Sequence, residues 1–150
     1  MNQHRYLRAY MAGIVAPTVF LLIGLTVFCV VRFVCKVPPI ERVIAFPMAI
    51  VPNLFGLWNM LYVKLQSNWR TPIGLHGALL PFFLGPIAFI IQLALGVVRA
   101  TGNGLVYFEA VHVPYWFLAV GPFIAIAAYY LVWKYIVGYC NQVLGIAGDR

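Results

Sequence analysis

Acidic side chains are almost absent from this chain: Glu41, Glu109 and Asp149 are the only three in 150 residues, and charged residues of all kinds make up 9%. A soluble domain ordinarily carries about 25% charge. So little charge beside 64% hydrophobic residues excludes a water-soluble globular protein, and the same hydrophobicity excludes a disordered one. Serine is limited to Ser67, in a polar stretch between apolar runs, so no serine nucleophile stands within the apolar segments. No catalytic signature, nucleotide-binding loop or metal-ligand spacing is found. The three cysteines, Cys29, Cys35 and Cys140, make no metal or redox pattern and read as small buried or interfacial hydrophobes.

What is present is basic and apolar. Ten Lys and Arg give a formal charge of +7. They are spread singly beside apolar runs, at Arg5, Arg8, Arg32, Lys36, Arg42, Lys64, Arg70, Arg99 and Lys134, with Arg150 at the terminus. Flanking cations of this kind set orientation and meet anionic headgroups. Without a basic helix or an aromatic-and-Arg motif, no nucleic acid is expected as a partner.

Four runs have the length to cross a ~30 Å hydrocarbon core at 1.5 Å per residue. They are about Met11 to Val31, Val43 to Leu65, Leu75 to Val98 and Val113 to Ile136. Their continuous apolarity predicts helices, because barrel strands would alternate. The first run exceeds the about 7 to 15 residues of a signal-peptide core, and is read as a retained span. Short polar connections at Lys36 to Arg42 and Gln66 to Pro72 make consecutive spans antiparallel neighbours. The third connection, 99–112, is too apolar for a free loop and is expected to lie in the membrane interface. The expected fold is therefore an all-α integral membrane protein, residues 1–150 forming one domain, a four-transmembrane-helix up-down-up-down bundle. Pro17, Pro52, Pro86 and Pro122, one per span at separations of 35, 34 and 36 residues, predict kinked helices and hint at a repeat.

Aromatic rings accord with this layout, with Tyr6, Tyr10, Trp58, Tyr62, Trp69, Trp133, Tyr135 and Tyr139 on the side of the termini and Tyr107, Tyr115 and Trp116 opposite. The terminal side carries six Lys plus Arg against four. The positive-inside rule then places both termini in the cytoplasm, in what reads as a bacterial inner membrane.

Polar residues at depth are costly and are the first candidates for a site. They are Asn53 near the midplane, Asn59 and Thr18 toward the terminal side, and Gln92 and Thr26 toward the other. Small residues mark helix-packing faces: Gly13 and Gly24 with Ala16 on the first span, Gly56 beside Asn53 on the second, and Gly121 with Ala125 on the fourth. On the third span Ala78, Gly85, Gln92 and Gly96 fall within about 40° of one another.

His76 is a candidate single haem ligand, but His112 lies on the opposite side of the membrane and cannot complete a bis-histidine site. Glu109 and His112 form one Glu-x-x-His pair, whereas a di-iron bundle needs two pairs and two more Glu. No titratable group lies at mid-depth to couple proton movement.

These features favour a non-enzymatic membrane protein without cofactor or metal: a subunit, scaffold or assembly partner of a larger membrane complex. Its partner contacts are expected at Trp69 and Arg70 in the second connection and at Tyr107, Glu109 and His112 in the third. The alternative is a small homo-oligomeric transporter or channel passing a neutral or weakly polar solute along Asn53, Asn59 and Gln92. A third reading is haem or porphyrin binding through His76.

Overall fold

The computed structural model describes residues 4–35, 41–66, 71–107 and 111–146, with the backbone alone at 35 and 41–49. Helix α1, Arg5–Cys35, has 31 residues and runs through Pro17 without losing its helical assignment. It is followed by α2, Glu41–Leu65, and α3, Ile73–Ala94, of 25 and 22 residues. After a small sheet the chain forms α4, Tyr115–Leu131, a π-helical segment, Val132–Val137, and α5, Gly138–Val143, as one uninterrupted rod. Continuously apolar sequence must bond its own backbone in lipid, and the helix does so residue by residue. Among the described residues three stretches are long and apolar enough to cross a membrane: Arg5–Val34, Ile73–Ala94 and Tyr115–Val143.

The expectation of an all-α chain needs correction, since the region taken for an interfacial loop is a three-stranded antiparallel sheet. Its strands are β1, Val98–Thr101, β2, Gly104–Tyr107, and β3, Val111–Pro114, in the order β1-β2-β3. Val98 pairs with Tyr107 and Thr101 with Gly104, while Leu105 pairs with Val113 and Val106 with His112. Backbone pairing with β-branched and aromatic side chains satisfies polar groups that a bare interfacial loop would leave to water.

The sheet shortens the third span. α3 stops at Ala94 because Gly96, at φ +67°, lets the Gly96 N–H donate to the Leu93 carbonyl and the Val97 N–H to the Gln92 carbonyl, a Schellman termination. The fourth rod instead continues past Ile136. It stops at the same motif built on Gly145, at φ +62°, where the Gly145 and Ile146 amides donate to Gln142 and Asn141.

Burial is concentrated at one end, where α1 begins, α2 and the last rod end, and α3 begins. One cluster joins Ala9, Ala12, Tyr62, Val63 and Ile146. The other joins Ala16, Phe55, Leu80, Trp133 and Val137. Close approach depends on glycine. A Cβ on Gly13 would lie 2.6 Å from the Phe55 carbonyl oxygen, and one on Gly77 would overlap the Trp133 indole. Toward the other end large side chains such as Phe82, Ile90, Phe123 and Ile124 face outward, as lipid contact requires of a membrane span.

Candidate functional site

The packed end holds an amide pair at its centre. Asn59 of α2 is 0% exposed and Asn141 of α5 is 3% exposed. Asn59 Nδ2 donates to Asn141 Oδ1 at 2.7 Å, and Asn141 Nδ2 returns a bond to Asn59 Oδ1 at 3.0 Å. Asn59 Nδ2 also donates to the Ala9 carbonyl of α1 at 2.7 Å. Three helices are thus tied by two side chains, with no charge desolvated. Nearby, Arg8 Nη1 donates to the Leu144 carbonyl at 3.0 Å, placing a cation on the carbonyl end of α5.

His76 lies beside this pair in an aromatic nest. The Trp58 indole donates to the His76 carbonyl at 2.9 Å, and His76 Nε2 donates to the Trp58 carbonyl at 3.1 Å. The imidazole stacks on Trp58 at 4.9 Å between centroids, with Tyr62 at 5.2 Å and Trp133 at 5.9 Å. Nε2 is therefore engaged in joining α3 to α2. Among the described residues no group of three or more His, Cys, Asp or Glu could hold a metal ion.

Two cavities adjoin this end. One, of about 490 Å³, opens between the start of α3, the end of α2 and the π-helical segment with α5. Its walls include Tyr62, Gln66, Ile73, Tyr130, Lys134, Asn141 and Gln142. The other, of about 230 Å³, is mainly apolar and lies between α2 and α3 against Trp58, His76 and Phe83. The Lys134 ammonium stands 5.7 Å from the centroid of the Tyr130 ring and 5.1 Å from that of Tyr135. A π-helical segment widens the helix by one residue per turn, a feature common at functional sites, and here it carries Trp133 into the core and Lys134 to the cavity rim.

The remaining sequence candidates are dispersed. Asn53 is exposed and accepts a hydrogen bond from the Tyr10 hydroxyl. Thr18 is exposed, and exposed Thr26 bonds back to the Leu22 carbonyl at 2.9 Å. Gln92 Oε1 is enclosed without a hydrogen-bond partner among the described residues. None of Asn53, Asn59 and Gln92 lines either cavity.

Gly13 and Gly56 meet across α1 and α2, where a Cβ on Gly56 would fall 2.9 Å from Ile14. Among the described residues Gly24 and Gly85 have open space around them, and Gly121 meets only the Phe117 ring of its own helix. Ala125 is half-buried. Gly96 stands beyond the end of α3, so it terminates that helix and does not extend its packing face. Tyr107 is half-buried on β2, where burial raises its phenol above the ordinary tyrosine value, and His112 is exposed on β3. Trp69, Arg70 and Glu109 lie outside the described residues.

Sequence reasoning missed Asn141, Gly74, Gly77 and the inward-facing Trp133. Trp133 stands near the end of the fourth run and reads as an interfacial ring, and Asn141 lies beyond that run. Gly77 adjoins His76, and Gly74 precedes the apparent start of the third, so a spacing search for mid-membrane faces passed over both. Comparison of the chain with protein-family models, with curated proteins and with solved structures gave no match.

Proposed function

We propose that the chain is a non-enzymatic polytopic protein of a bacterial inner membrane, a four-transmembrane-helix up-down-up-down bundle bent at its prolines, with both termini cytoplasmic. Its role is that of a subunit or scaffold docking on another membrane protein. The supporting observation is the contrast between two sets of glycines. Gly13, Gly56, Gly74 and Gly77 each stand where a Cβ would collide with a neighbouring helix, whereas Gly24 and Gly85 have nothing within 4 Å among the described residues. A helix-interior glycine costs about 1 kcal/mol relative to alanine, which close helix contact can offset. At Gly24 and Gly85 that offset is assigned to the helix of a partner. The paired polar groups of the packed end, Asn59 with Asn141 and Trp58 with His76, suit a structural part.

The test is cross-linking in native membranes followed by purification in a mild detergent. A heteromeric complex of fixed stoichiometry is expected, lost in Gly85→Leu or Gly24→Leu while the variant keeps the thermal stability of the parent chain. Recovery only as a monomer or homo-oligomer at all concentrations contradicts the proposal.

A further inference from the structure

The cavity beside the π-helical segment has a chemistry that the scaffold role does not use. Its volume, about 490 Å³, falls in the range of about 300 to 1,000 Å³ typical of small-molecule sites. Among the described residues Lys134 is the one charged residue on its wall, and none of them brings an acidic side chain to it. Around that charge stand neutral hydrogen-bonding groups, the amides of Gln66 and Gln142 and the phenols of Tyr62 and Tyr130, with Asn141, bonded to Asn59, in the wall behind them. Ile73 and Ile146 make the wall apolar elsewhere.

The cavity also has a defined depth. It sits where α2 ends, α3 begins and the last rod nears its end, at the edge of the candidate spans Ile73–Ala94 and Tyr115–Val143. Lipid headgroups reside at this level.

We propose that this cavity binds the headgroup of an anionic phospholipid whose phosphodiester carries a hydroxyl-bearing alcohol, as in phosphatidylglycerol. One negative charge matches one lysine, and the amides and phenols match hydroxyls. A zwitterionic headgroup would bring an ammonium for which the lining offers no carboxylate among the described residues. The glycerol ester and upper acyl chains would lie against the isoleucines. A soluble phosphate shares the phosphoryl chemistry, but leaves the apolar wall uncovered and lacks the high local concentration of a leaflet.

The test is native mass spectrometry of the full chain released from bilayer discs of defined lipid, read as the fraction retaining one lipid adduct. Wild type is expected to retain phosphatidylglycerol at least tenfold better than phosphatidylcholine. Lys134→Met should lose about tenfold of that preference, as expected for one charge-assisted hydrogen bond, and Lys134→Arg should recover part of it. Gln142→Ala, an exposed change at the rim, should lower phosphatidylglycerol retention with the thermal transition unchanged. Lys64→Met controls for general attraction to the anionic surface and should lose no more than about fivefold. Equal retention of the two lipids, or equal losses for Lys134→Met and Lys64→Met, overturns the proposal. So does displacement of the lipid by millimolar inorganic phosphate, which would assign the cavity to a soluble phosphate.

Discussion

Replacing Asn59 by leucine removes one half of a buried amide pair and strands what remains. Asn141 loses its acceptor at Asn59 Oδ1 and its donor at Asn59 Nδ2, and the Ala9 carbonyl loses its side-chain donor. Interhelical hydrogen bonds in membranes average about 0.6 kcal/mol and reach about 1.7 kcal/mol, while an orphaned buried polar group costs about 1 to 3 kcal/mol. Asn59→Leu should therefore destabilise the protein by about 3 kcal/mol. Asn141→Leu leaves the bond from Asn59 to Ala9 in place and strands Asn59 Oδ1 and one of the two Nδ2 hydrogens, so about 2 kcal/mol is expected. The double variant removes the stranded amides together and should cost at least about 1 kcal/mol less than the sum of the singles. The assay is reversible unfolding in mixed micelles, followed by tryptophan fluorescence and run as a double-mutant cycle. Additivity within about 0.5 kcal/mol, or single variants as stable as the parent, would refute the pairing.

Two glycines should respond in opposite ways. Gly77→Ala drives a methyl group into the Trp133 indole and should cost about 3 kcal/mol, whereas Gly85→Ala, with open space around it, should be neutral or stabilising by up to about 1 kcal/mol in the isolated chain; unfolding of the two variants side by side reads the difference. At the end of α3, Gly96→Ala forces a side chain onto a φ of +67° and should lower stability by about 1 kcal/mol, with faster amide exchange at Val97 and Val98. Arg8→Ala removes the donor to the Leu144 carbonyl and should cost about 0.5 to 1 kcal/mol, seen as earlier exchange in α5 ahead of global unfolding.

Hydropathy and length carried the reading as far as long helices, because in lipid an apolar run has few alternatives to helix. Boundaries followed less well. Val98 ends an apolar run yet belongs to a strand, and nothing in composition separates the last helical leucine from the first strand valine; the separator is Gly96 and its left-handed backbone. Lys134 marked the approach to a membrane surface, but a cation at a helix end can reach water while the helix continues, and the rod runs on to Val143. The search for polar residues at depth led to Asn59 and stopped short of Asn141, its partner 82 residues away. Periodicity identifies a face and not its occupant, which is why Gly13 and Gly85 look alike in sequence, although one stands against α2 and the other has open space around it.

The account depends most on the course of the chain through the bilayer. Single cysteines placed in a chain whose Cys29, Cys35 and Cys140 have been replaced by alanine, and labelled with a membrane-impermeant maleimide in oriented membrane vesicles, test it directly. Gln3→Cys, Ser67→Cys and Asp149→Cys are expected to label from the cytoplasmic face, and Lys36→Cys and Asn103→Cys from the opposite face. Labelling of Gln3→Cys and Asp149→Cys from different faces, or of Asn103→Cys from the same face as Ser67→Cys, would contradict the four-span arrangement.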